Sequence, residues 1–140
     1  MTNKKIKIIF ILPLLIICLL SGCGNNQFDN DYRNFRDSYL KITDVLDSKE
    51  PFTSIEKLSK DPILNELDEM KSIVSKMSKE ATSKSKKRIY DNVSKYYDGL
   101  EYLQYAAKNK ENLSEDERGR IATELTLIEM NRSSIKRGKI

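Results

Sequence analysis

The cysteines carry the most specific chemistry in this sequence. The chain has two of them, Cys18 and Cys23, and it has no histidine. A thiol can serve as a nucleophile, bind a metal or accept a covalent modification, and the first two roles usually need histidine or further ligands. Cys–His and Ser–His catalytic pairs and histidine-ligated zinc sites are therefore excluded. Covalent modification of a thiol is the chemistry that remains.

Carboxylates are numerous, but their positions do not predict a catalytic or metal site. None is isolated in an apolar segment that would raise its pKa for acid–base catalysis. Residues 115–117 are all acidic, which suits the positive end of a helix dipole better than it suits a cation. Residues 29–31 resemble the start of a calcium loop but lack its glycine and distant glutamate. We predict no metal, no cofactor, no small-molecule substrate and no enzymatic activity.

The residues before Cys23 have the three-part layout of a secretory signal peptide. Lys4, Lys5 and Lys7 supply positive charge, and they precede thirteen uncharged residues, Ile8 to Leu20. A helix that crosses a bilayer needs about 20 apolar residues, so this segment is short for a permanent span. Pro13 in its middle weakens that alternative further.

Leu20, Ser21, Gly22 and Cys23 resemble the lipobox of bacterial lipoproteins, in which a branched apolar residue and two small residues precede the cysteine. The resemblance implies that diacylglycerol is attached to the Cys23 thiol and that the chain is cut between Gly22 and Cys23. Two acyl chains give stable membrane attachment. An ordinary secretory signal and an uncleaved anchor remain the alternatives.

The resulting division is a signal peptide over 1–22, a lipidated cysteine with a short tether over 23–27, and a helical domain over 28–140. The mature chain has no second cysteine and thus no disulfide. It carries 22 lysines and arginines against 21 acidic residues, which does not indicate a nucleic-acid partner. Lys, Asn and Ile are frequent, as in proteins from AT-rich bacterial genomes, and this favours a Gram-positive host. The predicted location is the outer face of the cytoplasmic membrane.

Apolar residues recur at alternating spacings of three and four along most of the mature chain, which predicts amphipathic helices. We expect an all-α fold, a small antiparallel bundle of three to four helices. The four stripes are Phe28, Tyr32, Phe35, Tyr39, Ile42 and Leu46; Ile63, Leu67, Met70, Val74 and Met77; Ile89, Val93, Tyr96, Leu100, Leu103 and Ala107; and Ile121, Leu125, Ile128 and Ile135, which Arg132 interrupts.

Helix boundaries are predicted from local signals. Capping boxes are expected at 53–56 and 114–117, and an N-cap with a following proline at 61–62. Residues 136–138, Lys-Arg-Gly, are typical of a helix end. We expect a break near 81–85. Asp98-Gly99 could form a hairpin turn, but the spacing around it favours a glycine inside a helix.

Tyrosines are concentrated in the third stripe, where five of the seven lie between Tyr90 and Tyr105. Tyr90, Tyr97, Tyr102 and Tyr105 lie off the main stripe. Because tyrosine combines a flat apolar ring with a polar tip, these four could bind a partner. The alternative is that a neighbouring helix of the bundle covers them.

Basic residues cluster in two segments. Residues 73–95 carry seven lysines and arginines against two acidic residues, and residues 132–140 carry four against none. In an up-down-up-down bundle anchored at its first helix, both clusters would face the bilayer, where anionic head groups attract them. The alternative is an ordinary solvated surface. The predicted lipid contacts are Lys84, Lys86, Lys87, Arg88, Lys136, Arg137 and Lys139.

The domain after the lipobox loosely resembles the small all-helical lipoproteins of Gram-positive bacteria. From this we expect a non-catalytic envelope lipoprotein that binds another protein or a wall polymer at the membrane. A lipoprotein from a mobile element that blocks phage entry or a toxin is the alternative. Neighbouring genes would separate the two hypotheses.

Overall fold

The computed structural model describes residues 27–138, and all regular secondary structure in this range is helical. The all-α prediction is therefore confirmed. The chain is helical over residues 27–43 (α1), followed by Pro51–Glu56 (α2), Asp61–Glu80 (α3), Lys84–Lys108 (α4) and Glu115–Lys136 (α5). Two short 3-10 turns, Lys57–Ser59 and Lys110–Asn112, follow α2 and α4.

The first two long helices, α1 and α3, run in opposite directions. Ser38 in the last turns of α1 donates a hydrogen bond to Glu66 in the first turns of α3, with 2.6 Å between Ser38 Oγ and Glu66 Oε1. Lys41 forms an ion pair with the same carboxylate. The end of α1 therefore lies beside the start of α3.

Helix α4 runs parallel to α1, and α5 returns antiparallel to α4. Lys86 in the first turn of α4 lies over the ring of Phe28 at the start of α1. Further along α4, the Tyr102 hydroxyl donates a hydrogen bond to the Glu117 carbonyl in the first turn of α5, with 2.8 Å between the two oxygens. The four long helices thus alternate in direction in chain order.

The helix count differs from the prediction, because the described residues contain five α-helices where three to four were expected. The unpredicted helix is α2, which has six residues. It was missed because six residues are too few to repeat an apolar stripe. Its Ile55, and Leu58 in the 3-10 turn that follows, are fully buried, so this connection contributes to the core.

The predicted caps had different outcomes. The capping box at Ser114 is confirmed, because its hydroxyl accepts from the Glu117 amide while the Glu117 carboxylate accepts from the Ser114 amide. The box at Thr53 is wrong, since α2 already begins at Pro51. The cap at Asp61 is also wrong: Lys60 is the N-cap there, without a side-chain hydrogen bond.

The predicted break and the predicted glycine positions agree with the structure. Helix α3 ends at Glu80 and α4 begins at Lys84, with Ser83 as its N-cap. Gly99 lies inside α4 and is buried. Gly138 has a left-handed φ of 67° just after α5, as expected for a glycine that ends a helix.

The predicted stripes supply most of the core. Phe28, Phe35, Tyr39 and Ile42 of α1 are completely buried, as are Met70 and Met77 of α3. The rings of Phe35 and Tyr39 are stacked with centroids 5.8 Å apart, and Tyr96 of α4 lies 5.6 Å from Tyr39. Aromatic contacts of this kind add to the free energy gained by burial.

Arg132, which interrupts the fourth stripe, has a structural role. Its Nη1 donates to the carbonyl of Thr43, the last residue of α1, at 2.8 Å. Arg36 on α1 in turn donates to the carbonyl of Ile135 near the end of α5 at 3.2 Å. The last carbonyls of a helix lack partners and carry partial negative charge. Each arginine therefore satisfies the end of the other helix.

Candidate functional site

The first predicted lipid-contact cluster lies where the described chain begins. The Lys86 ammonium group is 5.1 Å from the centroid of the Phe28 ring, and Phe28 is five residues after Cys23. Lys84, Lys87 and Arg88 occupy the same first turns of α4 and are exposed. The structure thus brings this cluster to the start of α1. Cys23 and Gly22 themselves lie outside the described residues.

The second cluster lies in the same half of the bundle. Lys136 and Arg137 are exposed at the end of α5, next to the Ile135 carbonyl that accepts from Arg36. Arg36 is eight residues beyond Phe28, which corresponds to about 12 Å along a helix. The second cluster is therefore set back from the first along the bundle. Lys139 lies outside the described residues.

Charge divides unequally along the bundle axis. The half around the start of α1 comprises residues 27–35, 71–95 and 136–138 and holds eleven lysines and arginines against four acidic residues. The other half, residues 36–70 and 96–135, holds ten against seventeen, and contacts from Arg132 to Thr43 and from Ser48 to Glu129 place this part of α5 beside the end of α1. We call them the basic half and the acidic half. Although the described chain is neutral as a whole, it has a strongly positive end and a strongly negative end.

The four tyrosines proposed to bind a partner do not share one surface. Tyr90 and Tyr97 are partly buried against the core. Burial raises the pKa of Tyr97 to about 12, assisted by the nearby carboxylates of Glu101 and Asp68. Asp68 belongs to α3, so Tyr97 faces that helix. These two tyrosines are largely accounted for by packing within the bundle.

Tyr102 and Tyr105 lie together on the side of α4 that faces α5. Their ring centroids are 6.3 Å apart. The Arg120 guanidinium group lies 3.8 Å from the centroid of the Tyr102 ring, and the Tyr105 hydroxyl donates to Glu117 at 3.4 Å. Tyr105 is 48% exposed. Of the four, it presents the most ring surface to a partner.

Two exposed apolar residues were not among the predicted site residues. Leu127 and Met130 on α5 are 45% and 62% exposed. They lie next to the buried stripe residues Leu125 and Ile128 along the chain but off the stripe itself, so the three-four spacing did not identify them. Large apolar residues placed off the stripe of an amphipathic helix were the signal that could have identified them.

The described residues offer no obvious centre for chemistry. No group of three or more potential metal ligands comes together in residues 27–138. Within the same range, no helix combines the length and apolar character required to span a membrane.

Three carboxylates among the described residues have a clearly shifted pKa, and in each the pKa is lowered. A lower pKa makes a carboxyl group a poorer general acid at neutral pH. Lys110 lowers the pKa of Glu56, and Lys41 with Ser38 lowers that of Glu66. The amide and hydroxyl of Ser114 lower the pKa of Glu117. A general acid would require a raised value instead. These groups act as hydrogen-bond acceptors that hold helices and caps together.

Comparisons of the chain with protein-family models, with curated proteins and with solved structures found no match.

Proposed function

We propose that this protein is a lipid-anchored envelope lipoprotein, cut after Gly22, modified with diacylglycerol on Cys23 and held on the outer face of the cytoplasmic membrane. Its helical bundle, with the long helices antiparallel in chain order, serves as a non-catalytic binding module there. The observation that carries the proposal is the position of the basic half beside the start of α1, the end that a lipid on Cys23 would hold at the bilayer.

The tether is too short to separate the bundle from the membrane. Gln27 is already helical, which leaves four residue steps from Cys23. Consecutive Cα atoms are 3.8 Å apart, so the reach is at most about 15 Å. The first turns of α1 and α4 would therefore stay close to the lipid head groups.

Electrostatics then favours contact over free rotation about the tether. A lysine or arginine near an anionic membrane surface gains about 1 kcal/mol, and several such residues lie at this end of the bundle. The acidic half would be repelled by the same surface. The two effects act in one direction, so the lipid anchor and the charge distribution favour the same orientation.

The binding role is supported by the chemistry that the chain lacks and by the surface that it presents. The sequence has no histidine, and in this proposal the thiol of Cys23 is consumed by lipidation. Tyr105, beside Tyr102 and Arg120, provides an aromatic and cationic surface of the kind enriched at protein interfaces. The proposed partner is an envelope protein or a wall polymer.

Two cysteine variants test the anchor. We expect Cys23→Ala to leave the membrane fraction, because no thiol remains for diacylglycerol. Cys18→Ala is the matched control, since residue 18 belongs to the proposed signal peptide and is absent from the mature protein. Fractionation of cells that produce each variant measures the effect. Equal retention of both variants in the membrane would contradict the lipid anchor.

A substitution at Tyr105 tests the binding role. We expect capture of the lipidated protein from its own envelope to recover a partner that the Tyr105→Ala variant fails to recover. Because Tyr105 is half exposed, circular dichroism should show an unchanged helical content. Identical recovery by wild type and variant would remove Tyr105 from the binding surface.

A further inference from the structure

Two buried carboxylate oxygens in the basic half have no hydrogen-bond partner. One is Oδ2 of Asp31 on α1, and the other is Oε2 of Glu80, the last residue of α3. Asp31 is only 3% exposed, and its other oxygen accepts a hydrogen bond from the Gln27 side-chain amide at 3.1 Å. A buried carboxylate is costly unless it is paired with a cation or fully hydrogen-bonded. The burial of Asp31 therefore points to a donor beyond those that residues 27–138 supply.

The two carboxylates lie along one row of contacts between α1 and α3. Ser38 on α1 donates to Glu66 on α3, and Ile73, seven residues beyond Glu66, lines the same groove. Residues seven apart, about two turns, share a helix face. Asp31 is seven residues before Ser38, and Glu80 is seven beyond Ile73. We call this row of five residues the α1–α3 seam.

The seam leads to the point where the chain enters α1. In antiparallel helices the residue opposite Glu80, fourteen beyond Glu66, is fourteen before Ser38, which is residue 24 of the tether. Side chains lean toward the N-terminus of their own helix. Because α1 and α3 run in opposite directions, the side chains of Asp31 and Glu80 lean toward each other.

Cations of the described chain do not pair with these carboxylates. The four ion pairs in residues 27–138 involve neither Asp31 nor Glu80. Lys76 and Lys79 in this part of α3 are exposed, and the Lys86 ammonium group lies over the Phe28 ring. A cationic partner for the seam would therefore come from the chain before Gln27.

We propose that the α-ammonium group of Cys23 docks in the α1–α3 seam between Asp31 and Glu80. The inference rests on the proposed function, because this group exists only after the chain is cut before Cys23. Hydrolysis of the peptide bond consumes one water and leaves a carboxylate on Gly22 and an amine on Cys23, which is mostly protonated at neutral pH. Before the cut, the same nitrogen is an uncharged amide.

The length of the tether permits this contact. Asp31 lies four residues beyond Gln27, about 6 Å along the helix, and the tether from Cys23 to Gln27 spans at most about 15 Å. The tether can thus fold back along α1 and bring the ammonium group to the seam. Cleavage would then hold the bundle directly against its own lipid anchor, which is attached to the same residue.

The reactivity of the Cys23 amine tests the contact. An acylating reagent attacks only the unprotonated amine, and a nearby carboxylate favours the protonated form. The lipidated protein, purified from its own membranes, is labelled briefly near neutral pH, and mass spectrometry quantifies the labelled tryptic peptide of residues 23–33. The variants are Asp31→Asn and Glu80→Gln. Asp29→Asn is the matched control, because it removes the same charge from an exposed position on the same helical turn.

We expect the amine to react about tenfold faster in Asp31→Asn and in Glu80→Gln than in the wild type, which corresponds to one pKa unit. The Asp29→Asn control should react like the wild type. Circular dichroism shows whether Asp31→Asn remains folded, and Glu80→Gln, at a half-buried position, provides the test if it does not. Equal rates in the wild type and all variants would overturn the inference, as would an α-amino group that is already acylated.

The same peptide masses keep this inference separate from the proposed function. A chain that retains residues 1–22, or one with an unmodified thiol on Cys23, would contradict the proposed function. A cleaved and lipidated chain with equal rates contradicts only the docking of the ammonium group.

Discussion

Two tyrosine hydroxyl groups in this bundle have opposite surroundings. The Tyr39 hydroxyl is buried and makes no hydrogen bond of normal geometry, although the Asn131 side chain lies beside it, whereas the Tyr102 hydroxyl donates to the Glu117 carbonyl at 2.8 Å. A buried polar group without a partner costs about 1–3 kcal/mol, and a formed hydrogen bond contributes about 1 kcal/mol.

The two phenylalanine substitutions should therefore change stability in opposite directions. We expect Tyr39→Phe to raise the free energy of unfolding by about 1 kcal/mol, and Tyr102→Phe to lower it by about the same amount. Urea denaturation of both variants beside the wild type measures the difference. A clear loss of stability in Tyr39→Phe would show that its hydroxyl has a partner in solution.

The same burial predicts a loss of stability in alkali. The pKa of Tyr97 is raised to about 12, and burial raises that of Tyr39 as well, while an unfolded tyrosine titrates near 10. The folded state thus favours the protonated phenol, and its contribution is complete below pH 10 and is lost as the pH rises toward 12. Denaturation at a series of pH values measures this decline. A Tyr97→Phe variant with an unchanged alkaline slope would contradict the assignment for Tyr97.

At the residue scale, the sequence predicts burial better than it predicts partners. Phe28, Phe35 and Ile42 were identified as core from spacing alone. The role of Arg132 was not, because it depends on the Thr43 carbonyl, which only the packing of α5 on α1 brings within reach. The tyrosines of α4 also depend on tertiary neighbours: Tyr97 faces α3, and Tyr102 faces α5.

At the scale of elements, the two predicted capping boxes provide a matched experiment. Loss of an N-cap hydroxyl typically costs about 1 kcal/mol. We expect Ser114→Ala to lower the free energy of unfolding by that amount and to raise the pKa of Glu117, because the carboxylate loses one of its three donors. Thr53→Ala should have little effect, since Thr53 is exposed and does not cap α2. Equal losses in both variants would contradict the assignment, because the Ser114 hydroxyl would then contribute no more than an exposed hydroxyl that caps no helix.

Two helical glycines also form a contrasting pair. A Cβ atom at Gly119 in α5 would meet nothing within 4 Å, whereas at Gly99 it would lie 3.1 Å from Glu124. Alanine is favoured over glycine in a helix by about 1 kcal/mol. We expect Gly119→Ala to raise the melting temperature and Gly99→Ala to raise it less or to lower it. Thermal unfolding followed by circular dichroism measures both, and the reverse order would contradict the close approach of α4 and α5.

Long helices were predictable from sequence and the short one was not. The stripes of α3, α4 and α5 repeat over several turns, and Ser114 marks the start of α5. In α2, two buried residues, Ile55 and Ser54, are too few to define a period. The cap expected at Asp61 was displaced by one residue, since helix ends depend on local backbone geometry more than on residue type.

At the scale of the whole molecule, composition hid the charge asymmetry. The described residues carry as many basic as acidic side chains, and only the alternating directions of the four long helices bring residues 71–95 and 136–138 into one half. The net charges of successive segments of the sequence did identify the two basic segments. Their common position depended on the fold, and so did the exposure of Leu127 and Met130.

The proposed function depends on a lipid on Cys23 that holds the basic half of this bundle at the membrane. Mass spectrometry of the protein purified from its own membranes can detect that lipid. We expect an N-terminal peptide that begins at Cys23 and carries the added mass of diacylglycerol. A peptide that retains residues 1–22, or one that begins at Cys23 with an unmodified thiol, would contradict it.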